Sequence, residues 1–270
     1  RLFICGTSKR ISKVIPYQGR SPIINVISNA CINAGKKLLK NFVEIENLQV
    51  SKKGTSSFFE NTVKLIENNL NGNLLKARPE WSVNPEKKHL SNKNVWIVNP
   101  LSGQINFLHG IPHISISVAS LNDGKITAGC IYDPIRKELF YAELGRGAYL
   151  NEKRIRVSGR DALNGSLLNL GFEQLSFMEM KKFNSLGSQI RISGCPSLDL
   201  AWVASGRIDG YLQRIPIYYN MAGILIVRES GGFCTDFSMA ENLIDKNEIC
   251  AANPSIHNQA IKLIKNIKRD

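Results

Sequence analysis

Between Val95 and Glu143 the chain contains a succession of strand-like runs, Val95 to Val98, Ile114 to Leu121, Ile126 to Tyr132 and Glu138 to Glu143. They are rich in branched and aromatic residues, which favour the pleated surface. Asn122-Asp123-Gly124 joins two of them, and that triplet predicts a tight hairpin because its residues tolerate left-handed backbone. Pro22 to Phe42 has a broad apolar face made by Ile23, Ile24, Val26, Ile27, Ala30 and Ala34, which predicts a helix. A second helix is expected over Phe58 to Leu70, stopped by Gly72, and the polar, proline-containing stretch Ala77 to Asn94 reads as a loop.

After Ser158 strands and helices alternate. Strands are expected at Ser166 to Gly171, Gln189 to Ser193, Gly210 to Gln213, Phe233 to Asp236 and Glu248 to Ala251. Helices are expected at Phe177 to Leu186, Leu198 to Ser205, Met221 to Ser230 (closed by Gly231-Gly232) and Ile256 to Lys268. Interleaving of this kind implies a layered α/β fold. The change of pattern near Ser158 suggests an N-terminal α+β half, 1–158, and a C-terminal α/β half, 159–270, joined without a linker in one integrated fold.

With 270 residues, the chain can bury a sizeable core. The formal net charge of +13 suits an acidic partner such as nucleic acid or a phosphorylated ligand, but no nucleic-acid-binding module accompanies it. The cysteines, Cys5, Cys31, Cys130, Cys195, Cys234 and Cys250, are scattered without a C-x-x-C pair. That argues against a zinc site or a disulfide framework and fits a reducing cytoplasm. The opening Leu2-Phe3-Ile4-Cys5 is too short for a signal peptide or a membrane span, and no other segment reaches that length. What precedes Arg1 is open.

The run Trp96-Ile97-Val98-Asn99-Pro100-Leu101-Ser102-Gly103-Gln104-Ile105-Asn106-Phe107 resembles, without a gap, the W-I-V-D-P-[IL]-D-G-T-x-N-F signature of the inositol monophosphatase family. The resemblance continues through Ala128-Gly129-Cys130-Ile131-Tyr132-Asp133-Pro134, Ser197-Leu198-Asp199-Leu200-Ala201 and Glu229-Ser230-Gly231-Gly232. It implies a five-layered α-β-α-β-α sandwich, usually a homodimer, that hydrolyses phosphate monoesters with Mg²⁺. Mg²⁺ demands oxygen ligands in near-octahedral array, mainly carboxylates.

At the positions that resemblance assigns to metal, this chain carries other residues. The two signature carboxylates become Asn99 and Ser102, and the threonine becomes Gln104; only the Leu101 carbonyl and Gly103 match the family's ligands. The third carboxylate falls on Asn220 or on Tyr219, depending on the side from which the shortened run Tyr218-Tyr219-Asn220-Met221-Ala222-Gly223 is aligned. The family's K-G-x-x-D-[FL]-V-[ST]-x-x-D becomes Lys53-Gly54-Thr55-Ser56-Ser57-Phe58-Phe59-Glu60-Asn61-Thr62-Val63, with Ser57 and Val63 at the acidic positions. Glu86 is the one candidate remnant of the glutamate loop, and Gln213 stands at the substrate-contacting glutamate.

The expectation is therefore a pseudoenzyme with no metal cofactor and a binding or regulatory role. Two alternatives remain: a Mg²⁺-dependent inositol-1-phosphate phosphatase with a rearranged site, and an RNA-associated regulatory factor, since bacterial family members resemble such proteins. A protein partner is compatible with either binding role. His109 and His113 are expected to be structural, and Lys262, Lys265, Lys268 and Arg269 to form a solvated basic face on the last helix.

Overall fold

A computed structural model of the chain describes residues 19–48, 55–90, 94–171 and 177–267. The Leu2 to Cys5 opening, Lys53, Gly54, Lys268 and Arg269 lie outside these. Helix α1 (Pro22–Leu48) starts where Pro22 takes the first helical position and the Ser21 hydroxyl accepts the Ile24 N–H at 3.3 Å. Its stripe Ile24, Ile27, Cys31, Leu38, Phe42 and Ile45 is buried, and that stripe carries the helix well past Phe42. Helix α2 (Thr55–Ala77) runs straight through Gly72. A mid-helix glycine costs only about 1 kcal/mol, and burial of Ile66, Leu70 and Leu74 outweighs it at roughly 1.5–3 kcal/mol per side chain.

The stretch read as a loop holds a short strand, β1 (Ser82–Val83), and a 3₁₀ turn over Lys87–His89. Strand β1 pairs parallel to β2 (Asn94–Ser102), and the Asn84 side chain extends the ladder by receiving the Val98 N–H at 2.7 Å and giving to the Val98 carbonyl at 3.0 Å. A short helix, α3 (Gln104–Leu108), follows, then β3 (Ser115–Asn122), β4 (Lys125–Asp133), β5 (Glu138–Glu143), β6 (Gly147–Leu150) and β7 (Lys153–Arg154). All pair in chain order into a seven-stranded sheet, antiparallel from β2 onward. The β3–β4 turn forms as expected, with Asp123 and Gly124 left-handed at φ 48° and 74°. Strands β6 and β7 are joined by a two-residue turn, Asn151-Glu152, with φ 44° and 71°.

The second half supplies β8 (Leu167–Leu170), α4 (Phe177–Ser185), β9 (Gln189–Arg191), α5 (Pro196–Ala204), β10 (Gly210–Gln213), α6 (Met221–Glu229), β11 (Phe233–Thr235), β12 (Ile249–Ala252) and α7 (Pro254–Ile267). Its strands form a five-stranded sheet in the order β11-β12-β10-β8-β9. Five layers result: α1 and α2, the seven-stranded sheet, α5 and α6, the five-stranded sheet, then α4 and α7. Strand β2 shows how residues choose layers. Val95 and Ile97 face α5 and α6 in the central core, whereas Trp96 and Val98 face α1 and α2 in the outer one. A third core lies under α7, where Ile256, Ala260, Ile261 and Ile264 cover Leu168, Leu170 and Leu212. Lys262 and Lys265 are exposed opposite that stripe, as expected. Among the described residues no helix is long and apolar enough to cross a membrane.

Candidate functional site

The signature run ends at a bulge. Asn99 pairs with Ser117 and Ser102 with Ser115, so β2 holds one more residue than β3 between them. Pro100 and Leu101 take up the slack, and Leu101 drops into the outer core at 3% exposure. Gly103 then turns with φ 91°, where a side chain would be strained and a Cβ would lie 2.7 Å from the His113 carbonyl. This turn starts α3 and leaves Gln104 exposed at its first position.

Ser102 is not directed to solvent. Its Oγ accepts the Ser197 N–H at 3.3 Å and the Cys195 thiol at 3.5 Å, which ties the end of β2 to the start of α5. Ser115 lies 3.5 Å from the same thiol. Burial, helped by the nearby Asp199 carboxylate, pushes the Cys195 thiol up to about 12. It stays protonated and unreactive at neutral pH.

Opposite stands the 3₁₀ turn Tyr218–Asn220, which leads into α6. The Tyr219 carbonyl accepts the Ser117 hydroxyl at 3.4 Å, and Ser117 is the register partner of Asn99. Asn99, Ser102 and Asn220 are thus gathered at one end of the seven-stranded sheet. Asn220 is turned inward at 5% exposure, and its Oδ1 is buried without a hydrogen-bond partner, whereas the Tyr219 side chain is 48% exposed. The Tyr218 hydroxyl donates to the Pro85 carbonyl at 2.5 Å, which holds the Glu86 loop against the same turn. The Glu86 carboxylate itself faces out and pairs with Lys88 at 2.7 Å.

The other candidates lie apart. The first turns of α2 lie beside α3, with Phe59 6.0 Å from Phe107. Ser57 there is exposed, while Val63 is half-buried against the outer core. Gln213 ends β10 on the second sheet, where its Oε1 accepts the Tyr211 hydroxyl and its stem fills the space over Gly171.

A buried polar network supports the site. Asp199 accepts the Ser193 hydroxyl at 2.5 Å and the Asn169 amide at 2.7 Å, and His113 Nε2 stands 3.8 Å away. Burial raises the Asp199 carboxyl, and His113 and Ser193 partly counter it. Asn106 gives both amide hydrogens to backbone carbonyls, of His113 and Ser193, at 2.8 Å each. His113 therefore has a structural place, edge-on to Trp202 at 4.9 Å. The pairing of Asp199 with Ser193 and Asn169 could not be read from the sequence, because its members lie on different elements.

The gathered side chains at the end of β2 are two neutral amides and one hydroxyl, and that hydroxyl is already engaged. Among the described residues no three His, Cys, Asp or Glu come together as a metal-binding group.

Most of the chain is similar to known proteins. The inositol monophosphatase family profile matches residues 20–269. An inositol-1-monophosphatase of Mesorhizobium japonicum is 35% identical over 258 residues, covering 91% of this chain and 97% of the relative. A Nus factor SuhB of Xylella fastidiosa is 36% identical over 232 residues, 82% of this chain and 84% of the relative. Among solved structures, the extragenic suppressor protein suhB from Bartonella henselae superposes with a TM-score of 0.80 at 34% identity, covering 92% of this chain and all of that one. The inositol monophosphatase from Anabaena does so with 0.77 at 28% identity, over 90% and 95%. Signature, five-layered sandwich and a family match over residues 20–269 agree: the chain belongs to the inositol monophosphatase family.

Proposed function

We propose that this chain is a non-catalytic member of the family that acts by binding rather than by phosphate-ester hydrolysis. The observation that carries the reading is the donor set: Asn99, Ser102 and Asn220 sit where the resemblance expects carboxylates. Paired Mg²⁺ ions need negative oxygens to offset their mutual repulsion, and this set supplies none. The Ser102 hydroxyl, moreover, serves as an acceptor for Ser197 and Cys195. These residues do not fit the Mg²⁺ that the resemblance implies. Asn220 rather than Tyr219 takes the third carboxylate position in this reading, since its oxygen points inward and lacks a partner.

Hydrolysis of inositol 1-phosphate with Mg²⁺ tests it. Expected is no turnover approaching the roughly 1 per second of a slow working enzyme; a rate at or above that overturns the reading. Replacing Asn99, Ser102 and Asn220 together by Asp should bring back measurable Mg²⁺ binding by calorimetry.

A phosphatase with a rearranged site is the second reading. It is favoured by the Tyr218–Pro85 hydrogen bond, which holds the Glu86 loop beside Asn220. It requires Mg²⁺ or Mn²⁺ binding by the parent chain, lost on Glu86→Gln. As for a binding partner, the charge of +13 and the relatives named Nus factor support an RNA-containing one. Such binding must weaken steeply with salt.

A further inference from the structure

A cavity of about 240 Å³ opens on the far edge of the seven-stranded sheet, where β5 and β6 meet the start of α1. Among its lining residues are Arg20, Arg146, Arg154, Glu143, Tyr141 and Tyr149. The lining carries three guanidiniums and one carboxylate, Glu143, while Glu152 beside it pairs with Arg20. Arg20 is held in place by Glu152 and by the Tyr141 ring, 5.2 Å from its guanidinium carbon, yet its Nε is buried without a hydrogen-bond partner. Arg146 leans toward Glu143 at 3.5 Å. Among the described residues Arg154 has no carboxylate partner; its guanidinium lies over Gly147, close enough that a Cβ there would meet it at 3.1 Å.

The frame around these cations is rigid. Glu229 accepts the N–H groups of Gly145 and Gly147, each at 2.8 Å, which pins the loop that carries Arg146. Tyr141 and Tyr149 stack at 5.4 Å and 15° to form an apolar wall. The first turn of α1, at the rim, carries no acidic residue to oppose an anion. Residues 1–18 have Arg1, Lys9, Arg10 and Lys13 and no acid, so their charge does not complement this cavity.

We propose that this cavity binds a small phosphate monoester, with Arg146 and Arg154 gripping the phosphate and Arg20, fixed by Glu152, adding positive charge beside it. Guanidinium forks match phosphate oxygens in geometry and charge. A space of about 240 Å³ equals roughly eight water volumes, room for a phosphate and a sugar-sized group against the tyrosine wall. The site is independent of the signature run and does not rest on the reading given above for that end of the sheet.

Titration calorimetry of the full chain with inorganic phosphate, ribose 5-phosphate and ribose tests it. Ribose 5-phosphate is expected to bind best and ribose not at all, with affinity falling as salt rises. Arg154→Gln and Arg146→Gln, both exposed and so tolerable to the fold, should each weaken ribose 5-phosphate binding about tenfold, roughly the loss of one charge-assisted contact. Lys262→Gln, on the exposed face of α7, removes the same charge and should leave it unchanged. The proposal is overturned if the parent binds none of the three, if ribose binds as well as its phosphate, or if the arginine variants bind like the parent.

Discussion

Asp236 and Asp199 are both buried carboxylates, and they respond to acid in opposite directions. Burial alone would raise Asp236, but the Ser238 hydroxyl, the Lys246 ammonium and the Ala240 N–H outweigh it and hold the carboxyl at about 2. Its folded value lies below its unfolded one, so its contribution is complete above about pH 4 and is lost as the pH falls toward 2, some 2 kcal/mol in all. Urea titrations at several acid pH values should show this loss in the parent and a flatter profile in Asp236→Asn. Asp199 has a raised folded value, so any stability from its proton is present below its unfolded value and is lost as the pH rises through the folded one. Its importance is in its partners. Asp199→Ala leaves Asn169 and Ser193 without their acceptor in the interior and should cost about 3 kcal/mol, read as a lower urea midpoint at neutral pH.

At the scale of elements, the site depends on how closely α6 lies on the sheet. Gly129 in β4 leaves no gap for a side chain: a Cβ there would sit 2.8 Å from the Ala222 Cα, on the helix backbone itself. Gly129→Ala therefore has to lift α6, and it should destabilise the fold by about 1–3 kcal/mol, measurable as a lowered melting temperature. Because Asn220 immediately precedes α6, the same change should move that residue away from Asn99. Much at this scale was legible beforehand. The Asp123-Gly124 turn was plain because its residues demand it, and the apolar stripe of α7 gave its buried face. The extension of α2 past Gly72 was not, since the burial of Leu74 by the sheet overrides a local stop signal. Strand β1 was not legible either: two residues carry no period, and only the parallel ladder to β2 with the Asn84 side chain makes them a strand.

For the molecule as a whole, the central core draws residues from both sheets: Ile97 and Phe140 from one, Tyr211 and Ala251 from the other, with Leu200 and Ile226 between them. Neither half can lose its partner without exposing that core, so the 1–158 and 159–270 halves should unfold together. Circular dichroism and tryptophan fluorescence should report coincident denaturation curves; separate transitions would count against it. The second sheet ends in β9, an edge strand with Leu186 and Ile192 beside it, 43% and 50% exposed. Among the described residues this edge has no strand beside it, and an edge with apolar neighbours favours association; we propose a homodimer through it. Sedimentation should give twice the chain mass, shifting toward a monomer in Ile192→Lys.

What the sequence by itself determined was the family, through the resemblance of its signature run, and the layered architecture, because glycine turns and apolar periods are local properties of the chain. Tertiary structure alone decided the rest. It turned Asn220 inward and Tyr219 outward, committed Ser102 to Ser197 and Cys195, and brought Arg20 to Arg146 and Arg154 across more than a hundred residues of chain. Those outcomes depend on which elements pack together, and no spacing within a single segment encodes them.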